Sequence, residues 1–296
     1  MKKYGKVKKG EPRIGIELEI GNIHVDSEAS VAFEDEMSEI MDLTTTSDGG
    51  GTEFQFPPLS IDFLFKNKKV FQKAFDKLNK NRIYSDSSKH AGMHVHLDKK
   101  SFSYNQFVTM VQFLALQDSF VRKMSKRTAR HNYNFQSCLK LARSRFIVSN
   151  PKTTSLQVDA YSVGKKQVLE LAKYTTIKDA LSAKAKTYCS LGEGFAEINR
   201  KGYPTVEFRM FNSTSKLDVF YANFLFIYSL WDFSKSVGKI TDIKDPKISL
   251  TSYLEFVTAK PIYKLLIQEF KRLKIYKLKT TRKPTRKIRV VDPVLD

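Results

Sequence analysis

The chain contains four segments in which apolar residues alternate with ionisable ones, a pattern typical of strands. Arg13–Gly21 reads RIGIELEIG and Gly92–Asp98 reads GMHVHLD. Two shorter segments are TEFQF at Thr52–Phe56 and TVEFRMF at Thr205–Phe211. Side chains two residues apart share one face of a strand and lie roughly 6.6 Å apart along it. The alternation therefore predicts strands with a core of Ile, Leu, Val and Phe on one face and acids, histidines and an arginine on the other.

Helical spacing of apolar residues predicts helices between and after these strands. The predicted helices are Val31–Met41, Lys68–Lys80, Ser103–Met124, Lys166–Tyr174, Leu217–Ser234 and Pro261–Ile275. A loop, SDGGG, is predicted at Ser47–Gly51, and Pro57 and Pro58 are predicted to end the strand before them. Because strands and helices are mixed rather than strictly alternating, the predicted fold class is α+β.

The predicted organisation is one large domain over residues 1–258, followed by a C-terminal helix and a basic tail over residues 259–296. The 296 residues are 41% hydrophobic, which is enough to bury a core that holds a cleft. The most apolar stretch, Val219–Trp231, is shorter than the roughly 18 residues of a membrane span, so we expect a buried helix and no membrane partner. Two cysteines, and no apolar run after the N-terminal lysines, predict a cytoplasmic protein.

Charge is distributed unevenly along the chain, whose formal net charge is +20. Residues 11–60 hold twelve acids and one base, whereas residues 259–296 hold twelve bases and three acids. Clustered carboxylates repel each other unless a metal ion holds them together. The basic tail indicates either a solvated surface or a contact with a polyanion such as nucleic acid. The lysine-rich chain also suits a phage or mobile-element protein, in a host cytoplasm or associated with a virion.

The ionisable faces of the four strands together predict one site for a divalent cation. Each pair alone is weak evidence, because Glu-x-Glu and His-x-His also occur on solvated strands. Asp48, in the glycine loop, precedes Glu53 by five residues, so a loop oxygen and a strand oxygen are expected at the same ion. Carboxylate-rich ligand sets favour the hard ions Mg²⁺ and Mn²⁺ over zinc.

These segments, in this order, resemble the amidoligases of the carboxylate–amine ligase superfamily, which is related in fold to glutamine synthetase and glutamate–cysteine ligase. The shared marks are a G-x-E-x-E strand at 15–19, an acidic loop and Glu at 47–53, a G-x-H-x-H strand at 92–96, spaced arginines at 127–130 and a T-V-E-F-R strand at 205–209. One such motif is common by chance, but five in the right order are fairly specific. The resemblance covers roughly residues 13–235.

The resemblance implies both a fold and a reaction. The implied fold is a curved antiparallel sheet, a partial barrel like the glutamine synthetase catalytic domain, with helices outside and the site on its concave face. In the implied reaction ATP phosphorylates a carboxylate, and an amine then displaces phosphate from the acyl phosphate to form an amide. The implied cofactors are ATP and Mg²⁺ or Mn²⁺. The implied partners are an amine and a small-molecule, peptide or protein carboxylate.

The resemblance also implies a role for each site residue. The implied metal ligands are Glu17, Glu19, Asp48, Glu53, His94 and Glu207. Arg209 would contact the transferred phosphoryl group. Arg127 and Arg130 would bind phosphate or the substrate carboxylate, since one arginine holds two oxygens. His96 would face the nucleotide or the acyl phosphate, which makes Arg209, His96 and Glu207 the implied catalytic group.

Other interpretations stay open at this point. A metal-dependent hydrolase or nuclease would use the same acids and histidines to activate water against a phosphodiester, and the net charge suits that substrate. A non-catalytic basic protein would reuse the fold for binding, although the presence of every motif carboxylate and histidine argues against it. Arg127 and Arg130 also suit a helix C-terminus, Asp48 a glycine turn, and His96 a structural hydrogen bond.

Overall fold

The computed structural model describes most of the two ends of the chain and little of its middle. The described residues are 4–21, 23–48, 51–80, 91–103, 105–106, 109–110, 113–114, 117–126, 205–238, 246–275, 278–279 and 289–290. The predicted helix at Lys166–Tyr174 lies outside them, as do Arg127 and Arg130.

Five antiparallel strands form one sheet in the order β2–β3–β1–β4–β5. Their bounds are β1 Ile14–Gly21, β2 Thr44–Asp48, β3 Gly51–Leu59, β4 Gly92–Asp98 and β5 Thr205–Asn212. In the described part of the chain the outer strands β2 and β5 do not pair with each other, so this sheet is not closed into a barrel. The α+β class and the four predicted strands are confirmed, and the likeness to the glutamine synthetase fold stays a prediction.

Seven α-helices have both ends among the described residues, and residues 105–106, 109–110 and 113–114 are also helical. The seven are α1 Glu28–Ser38, α2 Ile61–Lys66, α3 Lys68–Lys80, α4 Asp118–Ser125, α5 Leu217–Val237, α6 Leu250–Thr258 and α7 Lys264–Arg272. Three 3₁₀ turns occur at Lys99–Ser101, Pro246–Ile248 and Pro261–Tyr263, and a two-residue antiparallel ladder joins β6 (Leu278–Lys279) to β7 (Arg289–Val290). Among these elements, no helix is long and apolar enough to cross a membrane.

The structure corrects both predicted ends of β3. The predicted loop at Ser47–Gly51 is wrong at its edges, because Asp48 ends β2 and pairs with Gly51 of β3. A Cβ on Gly51 would lie 2.5 Å from the carbonyl oxygen of Ile20, so only glycine lets β3 begin this close to β1. At the other end β3 continues through Pro57 and Pro58 to Leu59. The β1–β3 register shifts there, and such an irregularity accommodates residues that lack an N–H.

Several predicted helices also differ from the structure. The helix predicted over Val31–Met41 is α1, which covers Glu28–Ser38 and begins after its N-cap Ser27. The helix predicted from Ser103 does begin with a capping box, in which Ser103 Oγ accepts the Gln106 N–H at 3.2 Å and the Ser103 N–H donates to Gln106 Oε1 at 3.4 Å. It does not run unbroken, because Gln117 is a turn and α4 begins after it. The helix predicted over Pro261–Ile275 begins with the 3₁₀ turn Pro261–Tyr263 and is α-helical only over Lys264–Arg272.

The chain divides into two compact units. The helix α5 belongs to the first unit up to Phe224 and to the second from Leu225. The first unit contains the sheet and α1–α3 among its described residues. Its core combines the fully buried face of β1 with an aromatic cluster, in which the Phe33 ring lies 4.5 Å from Phe54 and the Phe220 ring 5.0 Å from Phe75. The predicted domain boundary at residue 258 stays a prediction.

The second unit contains α4, α6, α7 and the rest of α5. Its core is again aromatic: the Tyr253 ring lies 4.9 Å from Phe113 and 5.4 Å from Phe233. The Tyr253 hydroxyl is 2.6 Å from Ser229 Oγ, so the one polar atom of this ring is hydrogen-bonded within the core. Aromatic side chains thus fill both cores, in accord with the apolar spacing of α5.

Glu269 is a buried carboxylate in the second unit. Arg272 donates to its two oxygens from Nε and Nη2, each at 2.7 Å, and Lys126 Nζ lies 2.9 Å from Oε1. Burial by itself raises the pKa of Glu269, but the contacts with Arg272 and Lys126 outweigh it and hold the pKa below the ordinary value. A lowered folded pKa contributes stability above the unfolded pKa, which is lost as the pH falls through the folded value.

We therefore expect Glu269→Gln to lower the free energy of unfolding by about 1–3 kcal/mol at pH 7. The difference from the native protein should shrink as the pH falls below about 4.3, where the unfolded carboxyl becomes protonated. Urea denaturation at pH 7 and pH 3 measures both values, with the exposed Glu255→Gln as the matched control. An equal loss at the two pH values would contradict the role given to the ionised carboxylate.

Candidate functional site

The candidate site lies on the sheet face opposite the apolar core, at the centre of three adjacent strands. β1 is paired with β3 on one side and β4 on the other. Across these ladders Glu19 is opposite Glu53, and Glu17 is opposite His94. His96 is opposite Gly15, so it belongs to the same face. The register thus brings together five of the residues that the sequence analysis assigned to the site.

His94 lies between two carboxylates and is 2% exposed. Its Nδ1 is 2.7 Å from Glu17 Oε2, and its Nε2 is 3.1 Å from Glu19 Oε1. The second Glu19 oxygen accepts the backbone N–H of Gly92 at 2.5 Å, which ties this carboxylate to the start of β4. Both nitrogens of His94 are therefore directed at acids, and the ring fixes the positions of both carboxylates.

Glu17 is the acid shared by the two histidines, since its other oxygen, Oε1, lies 3.2 Å from His96 Nε2. Burial alone raises the pKa of Glu17. The hydrogen bond with His94 and the proximity of His96 outweigh burial and hold the pKa well below its usual range. Glu17 is therefore ionised at neutral pH, as a ligand for a cation must be.

The pKa of Glu53 is raised, in contrast to that of Glu17. Burial is the largest cause that raises its pKa above the ordinary value, and the negative charges of Glu17 and Glu19 add to it. Gln55 opposes this shift by donating from Nε2 to Glu53 Oε1 at 2.5 Å. The sequence analysis missed Gln55, although it occupies a polar position of the alternating TEFQF strand.

Gly15 lets β1 and β4 approach at His96. A Cβ on Gly15 would lie 3.2 Å from the Cβ of His96, closer than ordinary van der Waals contact. The glycine of the G-x-E-x-E segment is therefore explained by the histidine that it faces across the ladder.

β5 adds the last part of the predicted site. Glu207 is opposite His96 in the β4–β5 register, and Arg209 follows two residues later on the same strand. For Glu207, Arg209 and Asp48 the structure describes the backbone alone. Asp48 lies on β2, two residues after Thr46, which is opposite Glu53. The hydroxyl of Thr205, at the start of β5, is 3.3 Å from His96 Nδ1. The sequence analysis gave Thr205 no role.

The donor set fits a hard divalent cation in its chemistry. Three carboxylates supply oxygen ligands of the kind that Mg²⁺ and Mn²⁺ prefer. Burial is the main cause of the raised pKa of Glu53, and a cation among the acids would offset the negative charges of Glu17 and Glu19 that add to it. The described side chains do not yet form a coordination cage, since no group of three or more His, Cys, Asp or Glu among them is arranged to hold a metal ion. Glu17 and Glu19 are directed at His94 and would have to turn from it to share a cation.

Comparison with known proteins adds one match. A family model described as "Putative amidoligase enzyme" matches residues 42–226, more than half of the chain. The chain matches no curated protein. The matched range contains Glu53, His94, His96 and β5, whereas Glu17 and Glu19 precede it. Glu17 is opposite the matched His94 in the β1–β4 ladder, and Glu19 Oε1 lies 3.1 Å from Nε2 of the same ring.

Proposed function

The chain belongs to the amidoligase family, and from this membership we propose that it is an ATP- and Mg²⁺-dependent carboxylate–amine ligase. The reaction is the formation of an amide bond through an acyl phosphate. One observation carries the proposal beyond the family: Glu17, Glu19 and Glu53 adjoin one another on a single sheet face and are buttressed by His94. Such a cluster of acids suits the metal ions that accompany ATP.

The proposed metal ligands are those of the acidic face and its neighbours. Glu17, Glu19 and Glu53 would hold Mg²⁺ or Mn²⁺, with His94, Glu207 and Asp48 as further ligands. The cation, when bound, neutralises charge on the ATP phosphates and on the phosphoryl group in transfer. In the structure the Glu17 and Glu19 carboxylates contact opposite nitrogens of the His94 ring, and they would turn from it to share the cation.

The reaction steps and the remaining roles are those that the resemblance to the family implies. An oxygen of the substrate carboxylate attacks the γ-phosphorus of ATP, and ADP leaves. The amine then attacks the acyl carbon, and phosphate leaves with the electron pair of the C–O bond. Arg209 is proposed to bind the transferred phosphoryl group, Arg127 and Arg130 to bind phosphate or the substrate carboxylate, and His96 to contact the nucleotide or acyl phosphate.

The proposal is tested by measuring ADP and phosphate release with MgATP, pools of amino acids or peptides, and hydroxylamine as a small amine. Release that needs both the carboxylate and the amine, with formation of a hydroxamate, supports the ligase. Metal-dependent nicking of plasmid DNA without ATP would instead support the hydrolase or nuclease interpretation. Both assays use the full chain.

Gly15→Ala is expected to lower kcat for ADP formation about tenfold, because the new methyl group displaces His96 by a few tenths of an ångström. We expect a loss of about 1 kcal/mol in the free energy of unfolding, since the overlap involves one side chain. Steady-state kinetics and urea denaturation measure the two effects. Unchanged kcat in a folded variant would show that the position of His96 does not matter to turnover.

The polyanion contact is proposed for the C-terminal tail, where residues 277–296 carry seven bases and two acids. Removing these residues is expected to lower the salt concentration at which the protein leaves a heparin column, because fewer counterions are released on binding. ADP formation should be largely retained. An unchanged elution would show that the tail makes no electrostatic contact.

A further inference from the structure

His96 is a buried histidine whose two ring nitrogens contact two different side chains. Its side chain is 9% exposed. Nδ1 lies 3.3 Å from Thr205 Oγ1. Nε2 lies 3.2 Å from Glu17 Oε1, within ion-pair distance, but it makes no hydrogen bond of acceptable geometry with a described residue. A buried ring nitrogen of this kind is expected to find its partner in a ligand.

The surroundings distinguish the two tautomers of the neutral ring, which carries one N–H. If Nδ1 carried the proton, the Nε2 lone pair would face the Glu17 carboxylate at 3.2 Å, and the two negative regions would repel. If Nε2 carries the proton, its N–H dipole is attracted to Glu17, and Nδ1 accepts a hydrogen bond from the Thr205 hydroxyl. The second arrangement satisfies both contacts at once.

We propose that Thr205 is a positioning residue that holds His96 as the Nε2–H tautomer, so that this N–H donates to a phosphoryl oxygen. The identity of the acceptor rests on the proposed function, whereas the tautomer rests on the contacts alone. A phosphoryl oxygen fits because it accepts hydrogen bonds and carries the negative charge that develops during transfer.

The fold explains why Thr205 can perform this role. His96 is opposite Glu207 in the β4–β5 ladder, and Thr205 is two residues before Glu207. Thr205 and His96 are therefore diagonal neighbours across the ladder, within reach of each other's side chains. Threonine is branched at Cβ, which restricts rotation about χ1 and keeps the hydroxyl in place. Gly15 faces His96 across the β1–β4 ladder, and its lack of a side chain lets the two strands approach there.

The test is a long-range ¹H–¹⁵N spectrum of the full chain labelled at histidine, recorded at a pH where the ring is neutral. His96→Gln identifies the His96 signals among the five histidines. We expect the Nε2–H pattern in the native protein and in Thr205→Ser. Thr205→Val removes the hydroxyl at nearly constant size and should shift the signals toward a mixture of tautomers. Thr258→Val, whose hydroxyl bonds within α6, is the matched control.

Kinetics provide a second readout. Thr205→Val is expected to lower kcat for ADP formation about tenfold, as one lost hydrogen bond of about 1.4 kcal/mol would do, and Thr205→Ser should restore it. An Nδ1–H pattern in the native protein, or an unchanged pattern in Thr205→Val, would overturn the proposal. If the native spectrum is as expected but the protein binds no MgATP, the proposed function fails while the role of Thr205 in the tautomer stands.

Discussion

Glu17→Gln is expected to lower kcat/KM for Mg²⁺-dependent ATP turnover by about a thousandfold, the scale of losing an interaction with the reacting charge. Glutamine keeps the size of the side chain but removes the charge that a cation needs. Glu17 is also the acid that contacts both His94 and His96, so the substitution leaves both rings beside a neutral amide. No other described carboxylate of the site contacts both histidines.

The measurement is ADP formation by the native protein and the variant at saturating Mg²⁺, beside circular dichroism spectra that report the fold. Glu255→Gln makes the same chemical change on the exposed face of α6 and is expected to keep full activity. Glu17→Ala and Glu207→Ala should also abolish nucleotide turnover while leaving the fold intact. Full ATP-dependent activity in a folded Glu17→Gln protein would refute the site assignment.

Phe220→Ala is expected to lower the free energy of unfolding by about 3–5 kcal/mol, the range for removing a fully buried phenylalanine. The Phe220 ring lies 5.0 Å from Phe75, 5.7 Å from Phe56 and 5.8 Å from Phe71. It thus joins α5 to α3 and β3 within the first unit. Alanine would leave a cavity among rings that cannot collapse into it.

Urea denaturation of the native protein and the variant measures the loss. Phe220→Leu should lose less than half as much, because leucine fills most of the space. Val31→Ala, at a side chain that is 46% exposed, should change stability by less than about 0.5 kcal/mol. A loss in Phe220→Ala no larger than in Val31→Ala would contradict the place of this ring in the core.

The sequence predicts the strands of the site well because a period of two is a strong signal. β4 has the predicted bounds, Gly92–Asp98, and α3 the predicted bounds, Lys68–Lys80. The alternation also places Glu17 and His94 on polar faces. It does not reveal that they are opposite each other, since register depends on turns and on the packing of distant segments.

Of the elements that the sequence analysis missed, β2 and α2 carry no recognisable period. The helix α6 does, since its buried residues Leu250, Tyr253, Leu254 and Val257 have the spacing of one helix face. β2 reads TTTSD, a polar edge strand with no buried apolar face to mark it. α2 has six residues, too few for helical spacing to be recognised. The contacts of Gln55 with Glu53 and of Thr205 with His96 join residues whose neighbourhood only the folded sheet defines. Contacts of this kind between side chains can therefore be identified only from the structure.

The central claim is that the acidic face of β1, β3 and β4 binds ATP together with Mg²⁺. Calorimetric titration of the native protein with a non-hydrolysable ATP analogue, with and without Mg²⁺, tests it without knowledge of the carboxylate or the amine. We predict binding that requires Mg²⁺, is lost in Glu17→Gln and is retained in Glu255→Gln. Binding that is the same without Mg²⁺, or the same in Glu17→Gln, would contradict the claim.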